Sequence, residues 1–158
     1  MNKYISIKYL LVYYMINIVS KIISYTIAFC TGLFLITYIL KLPHLITGNT
    51  KIVNFYYITN YAKNVPLDYL FVLGYLLIAS LIIKICNTKN KIIKISIVGL
   101  TTILLTSIFC YYFVSKPLTS NFFSKWFHTV KYTSVLYDTI LLLTIYIIYL
   151  YLEHHTIH

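Results

Sequence analysis

The sequence predicts an all-α, four-span transmembrane helical bundle, with one interfacial helix at the N-terminus and another between spans three and four. Three observations predict it. Hydrophobic residues make up 60% of the 158-residue chain. Charged residues make up only 10%, against about a quarter in a soluble domain. Lysines recur at intervals near the roughly 20 residues that a spanning helix needs. A soluble chain this apolar would present large greasy patches to water. In a bilayer the same side chains lie in their preferred solvent.

The whole chain reads as a single membrane domain, 1–158. Residues 1–21 form an interfacial N-terminal segment, because Lys8 and Lys21 leave too few residues between them to span. An alternative starts the first span near Tyr9 and leaves Lys21 to snorkel. Otherwise Lys21 and Lys41 bracket the first span, about 22–40. Pro66 opens the second, about 66–83, which ends at Lys84. Lys94 and Lys116 bracket the third, about 95–115. Lys131 and Glu153 bracket the fourth, about 134–152, and 153–158 form a tail. Backbone polar groups in hydrocarbon need internal partners, so each run is a helix or part of a closed barrel. The runs are too long and too evenly apolar for barrel strands, which alternate. Lys3 and Lys8 ahead of an apolar stretch resemble a signal peptide, but no small-residue cleavage site follows, so the segment is expected to be retained.

The connections differ. The first is long and rich in Tyr and Asn, among them Tyr56, Tyr57, Asn60 and Asn64. The second is short and carries Lys84, Lys89, Lys91 and Lys94. The third places Phe122, Phe123, Trp126 and Phe127 on one helical face, the pattern of an interfacial helix with its aromatics at headgroup depth.

The formal charge is +10, from thirteen lysines against Asp68, Asp138 and Glu153. The lysines are dispersed between apolar runs rather than clustered. That argues against nucleic acid and for a bilayer with anionic headgroups as the partner, alongside other membrane proteins or further copies of the chain. The side carrying both termini and the second connection holds seven lysines, the other side six. The positive-inside rule then puts both termini in the cytoplasm, by a margin of one.

Asp68 and Asp138 are the candidate intramembrane polar residues, and both fall on the long-loop side. Ionisable groups inside a membrane mark functional sites by default. Each also has a structural reading. Asp68, just after Pro66, sits where a helix N-terminus favours negative charge. Asp138 can pair with Lys131. An Asp at the centre of a span costs about 2.5–3.5 kcal/mol, and each Leu or Ile returns about 0.3–0.6 kcal/mol. The ten Leu and Ile residues of 136–152 therefore carry one off-centre acid.

Small residues form two stripes, Ser24, Ala28 and Gly32 in the first span and Ser96, Gly99, Thr102, Thr106 and Cys110 in the third. Such stripes let helices approach closely, so these two spans are expected to pack on each other. The fourth, built of Leu, Ile and Tyr, is expected to be peripheral. Cys30, Cys86 and Cys110 form no C-x-x-C motif, and Cys30 and Cys110, inside apolar runs, read as small buried residues. His154 and His158 could share a helical face as a metal pair, but no third ligand is evident, so neither metal nor cofactor is expected. No phosphate loop, H-E-x-x-H, G-x-S-x-G or close carboxylate pair occurs, which argues against an enzyme.

The segments Asn64-Val65-Pro66-Leu67-Asp68-Tyr69 and Phe122-Phe123…Lys131-Tyr132…Leu136-Tyr137-Asp138 resemble small multi-span membrane proteins of large double-stranded DNA viruses. The Lys-only basic set and the excess of Ile, Asn and Tyr resemble products of their AT-rich genomes. The resemblance covers roughly the last hundred residues. It implies a virion or host internal membrane location, with no site residues to carry over, and the leading expectation for the chain is a non-enzymatic structural or assembly role. A small transporter or ion-conducting oligomer using Asp68 and Asp138 is the second expectation, and a lipid-acting enzyme the third.

Overall fold

The computed structural model describes residues 2–156, with side chains from Met15 to His155. Seven α-helices account for most of it, and no strand occurs among the described residues. Helix α1 (Asn2–Leu33) runs on into a π-helical turn, Phe34–Ile39. Two short helices follow, α2 (Leu42–Thr47) and α3 (Thr50–Asn54), then a second π-helical turn, Phe55–Thr59. Next come α4 (Tyr61–Ile85), α5 (Lys91–Val114), α6 (Phe122–Val130) and α7 (Thr133–Thr156). Four stretches are long and apolar enough to cross a membrane: Met15–Ile39, α4, α5 and Thr133–His155. Together they define a multi-pass α-helical membrane protein.

Helix α1 passes Lys21 without a break, so the interfacial segment expected at 1–21 and the first span are one helix. No Pro or Gly interrupts the run before Gly32. Its 32 residues make it about 48 Å long at about 1.5 Å per residue. That exceeds a hydrocarbon core of about 30 Å, so one end extends beyond it.

The start of the second span also moves. Helix α4 begins at Tyr61, and Pro66 lies inside it. The preceding π-helical turn delivers the chain already wound, closed by Asn60 N–H donating to the Phe55 carbonyl at 3.2 Å. Pro66 removes one donor, the partner of the Ala62 carbonyl. Both residues are exposed. Asp68 therefore sits two turns inside the helix, and the N-terminal reading of it fails.

Helix packing corrects a second expectation. The most extensive helix contacts are those of α7 with α5 and with α1, and then of α4 with α5. The fourth span is central rather than peripheral, and both small-residue stripes face it. A Cβ on Gly32 would lie 2.6 Å from Ile145 Cγ1, and one on Gly99 would lie 3.6 Å from a Leu143 methyl. Ser24, Ala28, Thr102, Thr106 and Cys110 are buried, while Ser96 is exposed. The physical reason is complementarity. Two small faces leave a groove between them that nothing fills, whereas large side chains of α7 fill the groove on either side. Cys30, expected to be buried, is exposed, as is Cys86.

Helices α1 and α4 meet through aromatic side chains. The Tyr25 hydroxyl donates to the Tyr69 carbonyl at 2.6 Å, and the two rings lie 4.8 Å apart.

Candidate functional site

The long first connection and α6 build a roof over one end of the spans. Asparagines start the local turns. Asn49 accepts from Ile52 N–H at 3.1 Å and so caps α3. Asn121 accepts from Phe123 N–H at 2.9 Å and caps α6. Each satisfies a backbone donor left orphaned at a helix start. The side chain of Asn64 donates to the Tyr56 carbonyl at 3.1 Å, tying the second π-helical turn back onto α4. His128 Nε2 lies 3.0 Å from the Lys116 carbonyl and ties α6 to the end of α5.

Helix α6 occurs where the aromatic pattern predicts it, but its aromatic face points inward. Trp126 and Phe127 are buried, while Lys125 and Thr129 face out. Trp126 lies 4.8 Å from Tyr56 between ring centroids, and Phe127 stacks on Phe113 at 5.5 Å. The expected headgroup contact of these rings is corrected because Tyr56 and Tyr57, from the first connection, offer them an aromatic partner inside the protein.

Below the roof lies a cavity of about 100 Å³. Nine of its fourteen lining residues are aromatic, and the only two acids among them are Asp68 and Asp138. The topology thus brings two of the three acids in the chain to one chamber. The Tyr56 hydroxyl donates to Asp68 Oδ1. Asp68 Oδ2 is buried without a hydrogen-bond partner. Thr106, from the small stripe of α5, donates to Asp138 Oδ2 at 3.2 Å. Lys131 does not pair with Asp138. It closes α6 with a positive φ of 48° and is exposed, so residues 131 and 138 do not share a helix. No lysine is among the residues that line the cavity.

A polar relay runs beside the cavity. Tyr137 donates to the Tyr57 hydroxyl at 2.7 Å, and its oxygen lies 3.1 Å from Thr37 Oγ1. It links the start of α7, the roof and the π-helical end of the first span. Burial pushes the Tyr56 phenol well above its ordinary value of 10.0, and the neighbouring Asp68 carboxylate adds to this. Tyr57 shifts the same way, through burial first and then through Tyr137. Both phenols stay protonated at neutral pH and keep a proton to donate.

Of the residues singled out from sequence, the structure unites Asp68, Asp138 and Thr106. It places Ser24, Ala28, Gly32, Gly99 and Thr102 in helix packing. Sequence reasoning missed Tyr56, Tyr57, Trp126 and Tyr137 as site residues. The available signal was the dense Tyr and Asn run between two apolar spans, a composition unusual for an idle loop. No group of three metal-ligating side chains occurs among the described residues. His154 is described, but His158, its expected partner, lies outside the described residues. Set against protein-family models, curated proteins and solved structures, the chain matches none of them.

Proposed function

We infer that this is a membrane protein that binds a cation in the cavity beneath its aromatic roof, as a carrier or receptor rather than an enzyme. One observation carries the reading: Asp68 and Asp138 line the same cavity with no lysine beside them. A carboxylate removed from water holds its charge only with a partner cation or dense hydrogen bonding. The Tyr56 hydroxyl donates to one oxygen of Asp68, and the other oxygen is buried without a hydrogen-bond partner. An incoming cation supplies what the chain does not.

The lysine distribution supports both termini in the cytoplasm and contact with anionic headgroups. The structural or assembly role, in the viral membrane implied by the resemblance, draws nothing from this geometry.

Flux in proteoliposomes separates the two readings. Vesicles holding the chain should take up or bind a cation saturably. Asp138→Asn keeps the acceptor for Thr106 and removes the charge, and should weaken the uptake about tenfold or more, the scale of one desolvated charge contact. Vesicles that neither bind nor move protons, alkali cations or organic cations would defeat the cation reading and leave the structural one.

A further inference from the structure

We propose that the ligand of this cavity is an organic ammonium group, quaternary or tertiary, and that it enters sideways from the bilayer between α4, α5 and α6. The inference rests on the cation reading above and adds the chemical class and the route.

The walls select the class. Small hard cations such as Mg²⁺ and Ca²⁺ want six or more oxygen ligands. Here the described walls offer two carboxylates and three tyrosine hydroxyls, those of Tyr56 and Tyr57 already hydrogen-bonded within the chain, in a chamber otherwise aromatic and aliphatic. A methylated ammonium has the opposite needs. It carries a full charge on an apolar surface, gives up little hydration and is held by the faces of aromatic rings. The chamber supplies both parts. Tyr56, Trp126 and Phe113 are among its rings, and the unpartnered Asp68 Oδ2 supplies the counter-charge. A volume of about 100 Å³ holds several heavy atoms, more than a bare metal ion occupies.

The route follows from exposure. On the α1 and α7 side the cavity is closed by buried Tyr57, Leu141 and Leu142. On the other side Phe71 is 39% exposed, and Phe109 and Phe123 are half-buried. Phe71 meets both other rings edge-on, lying 5.8 Å from Phe109 and 5.3 Å from Phe123. The contacts belong to three different helices, so the passage opens without unwinding any of them. It lies on the flank of α4 and α5, which faces lipid in a membrane-spanning protein.

The chain carries its own probe. Trp126 is its one tryptophan and lines the cavity. The test uses the full chain in nanodiscs of phosphatidylglycerol, read by Trp126 emission. Tetramethylammonium and choline should shift the emission saturably. The uncharged isostere of choline, 3,3-dimethylbutan-1-ol, should not. Asp68→Asn should weaken the response about tenfold or more, and Phe113→Leu about three- to tenfold, the range of one desolvated cation–π contact.

A second arm identifies the source of the ammonium. If phosphatidylcholine nanodiscs shift the emission before any solute is added, and soluble tetramethylammonium no longer adds to it, the group is a lipid headgroup. If the two lipids behave alike until solute is added, it is a free solute. Either result supports the class.

An equal response to the uncharged isostere, or an unchanged response in Asp68→Asn, overturns the proposal. A response to Na⁺ or protons with none to any ammonium overturns it too, yet keeps the cation reading. Silence towards every cation sinks both.

Discussion

The two ends of this protein are built on different principles. At one end the first connection and α6 fold over the spans, burying Tyr56, Tyr57, Trp126 and Tyr137 against each other. At the other end α4 and α5 are joined by Cys86–Asn90, a turn almost wholly exposed that carries Lys89 and is flanked by Lys84, Lys91 and Lys94. The core reflects the same asymmetry. One large cluster spans the roofed end and the middle, while Ala79, Val98 and Tyr146 form a small one towards the other. The difference teaches where the chain invests its side-chain order. The lysine-flanked end has only to join two helices. The roofed end has to hold two carboxylates out of water.

The largest test of that contrast is alkali. Tyr56 and Tyr57 have folded pKa values raised well above 10.0 by burial. A raised pKa contributes stability that is fully present below the unfolded value and is lost as pH rises through the folded one. Stability should therefore fall from about pH 10 upwards, by ~1.4 kcal/mol per pH unit for each phenol. Tyr56→Phe with Tyr57→Phe should flatten that edge. Circular dichroism against pH checks it; the same edge in the double variant would break the account.

Next in size is Tyr137→Ala. The residue is 1% exposed and joins Tyr57 to Thr37, so its loss should cost about 3–5 kcal/mol. Tyr151→Ala, at an exposed position near the end of α7, should change stability by under about 0.5 kcal/mol. Thermal unfolding in detergent compares them, and similar losses would deny the asymmetry.

Smaller effects than that of Tyr137→Ala come from two glycines of opposite sign. Gly32→Ala drives a methyl into Ile145 and should destabilise by about 1–3 kcal/mol. Gly74→Ala meets nothing within 4 Å, and the better helix former should stabilise by about 0.5–1 kcal/mol. Should both substitutions act alike, the close approach of α1 and α7 is not what Gly32 serves.

The parts legible in the sequence were those set by local chemistry. Apolar runs between lysines marked the four long apolar helices, and the spacing of Phe122, Phe123, Trp126 and Phe127 announced α6. The small residues at 24, 28 and 32 marked a packing face. Their partner was illegible, because a groove is filled by whatever bulky face lies opposite, and that is a property of two helices. Pro66 misled for a related reason. It is a strong local signal for a helix start, yet the wound turn before it was hidden in Tyr56 and Tyr57, whose role depends on Trp126 some seventy residues away.

By itself, then, the amino-acid order determined that the chain is helical and four times long and greasy enough to cross a bilayer, because hydrophobic length and backbone self-satisfaction are properties of each segment alone. Only the tertiary structure decided that the fourth span is the central one, that α6 turns its rings inward, and that Asp68 and Asp138 share a chamber. Those facts rest on side chains far apart in the chain meeting across space, and no window of sequence contains both members of such a pair.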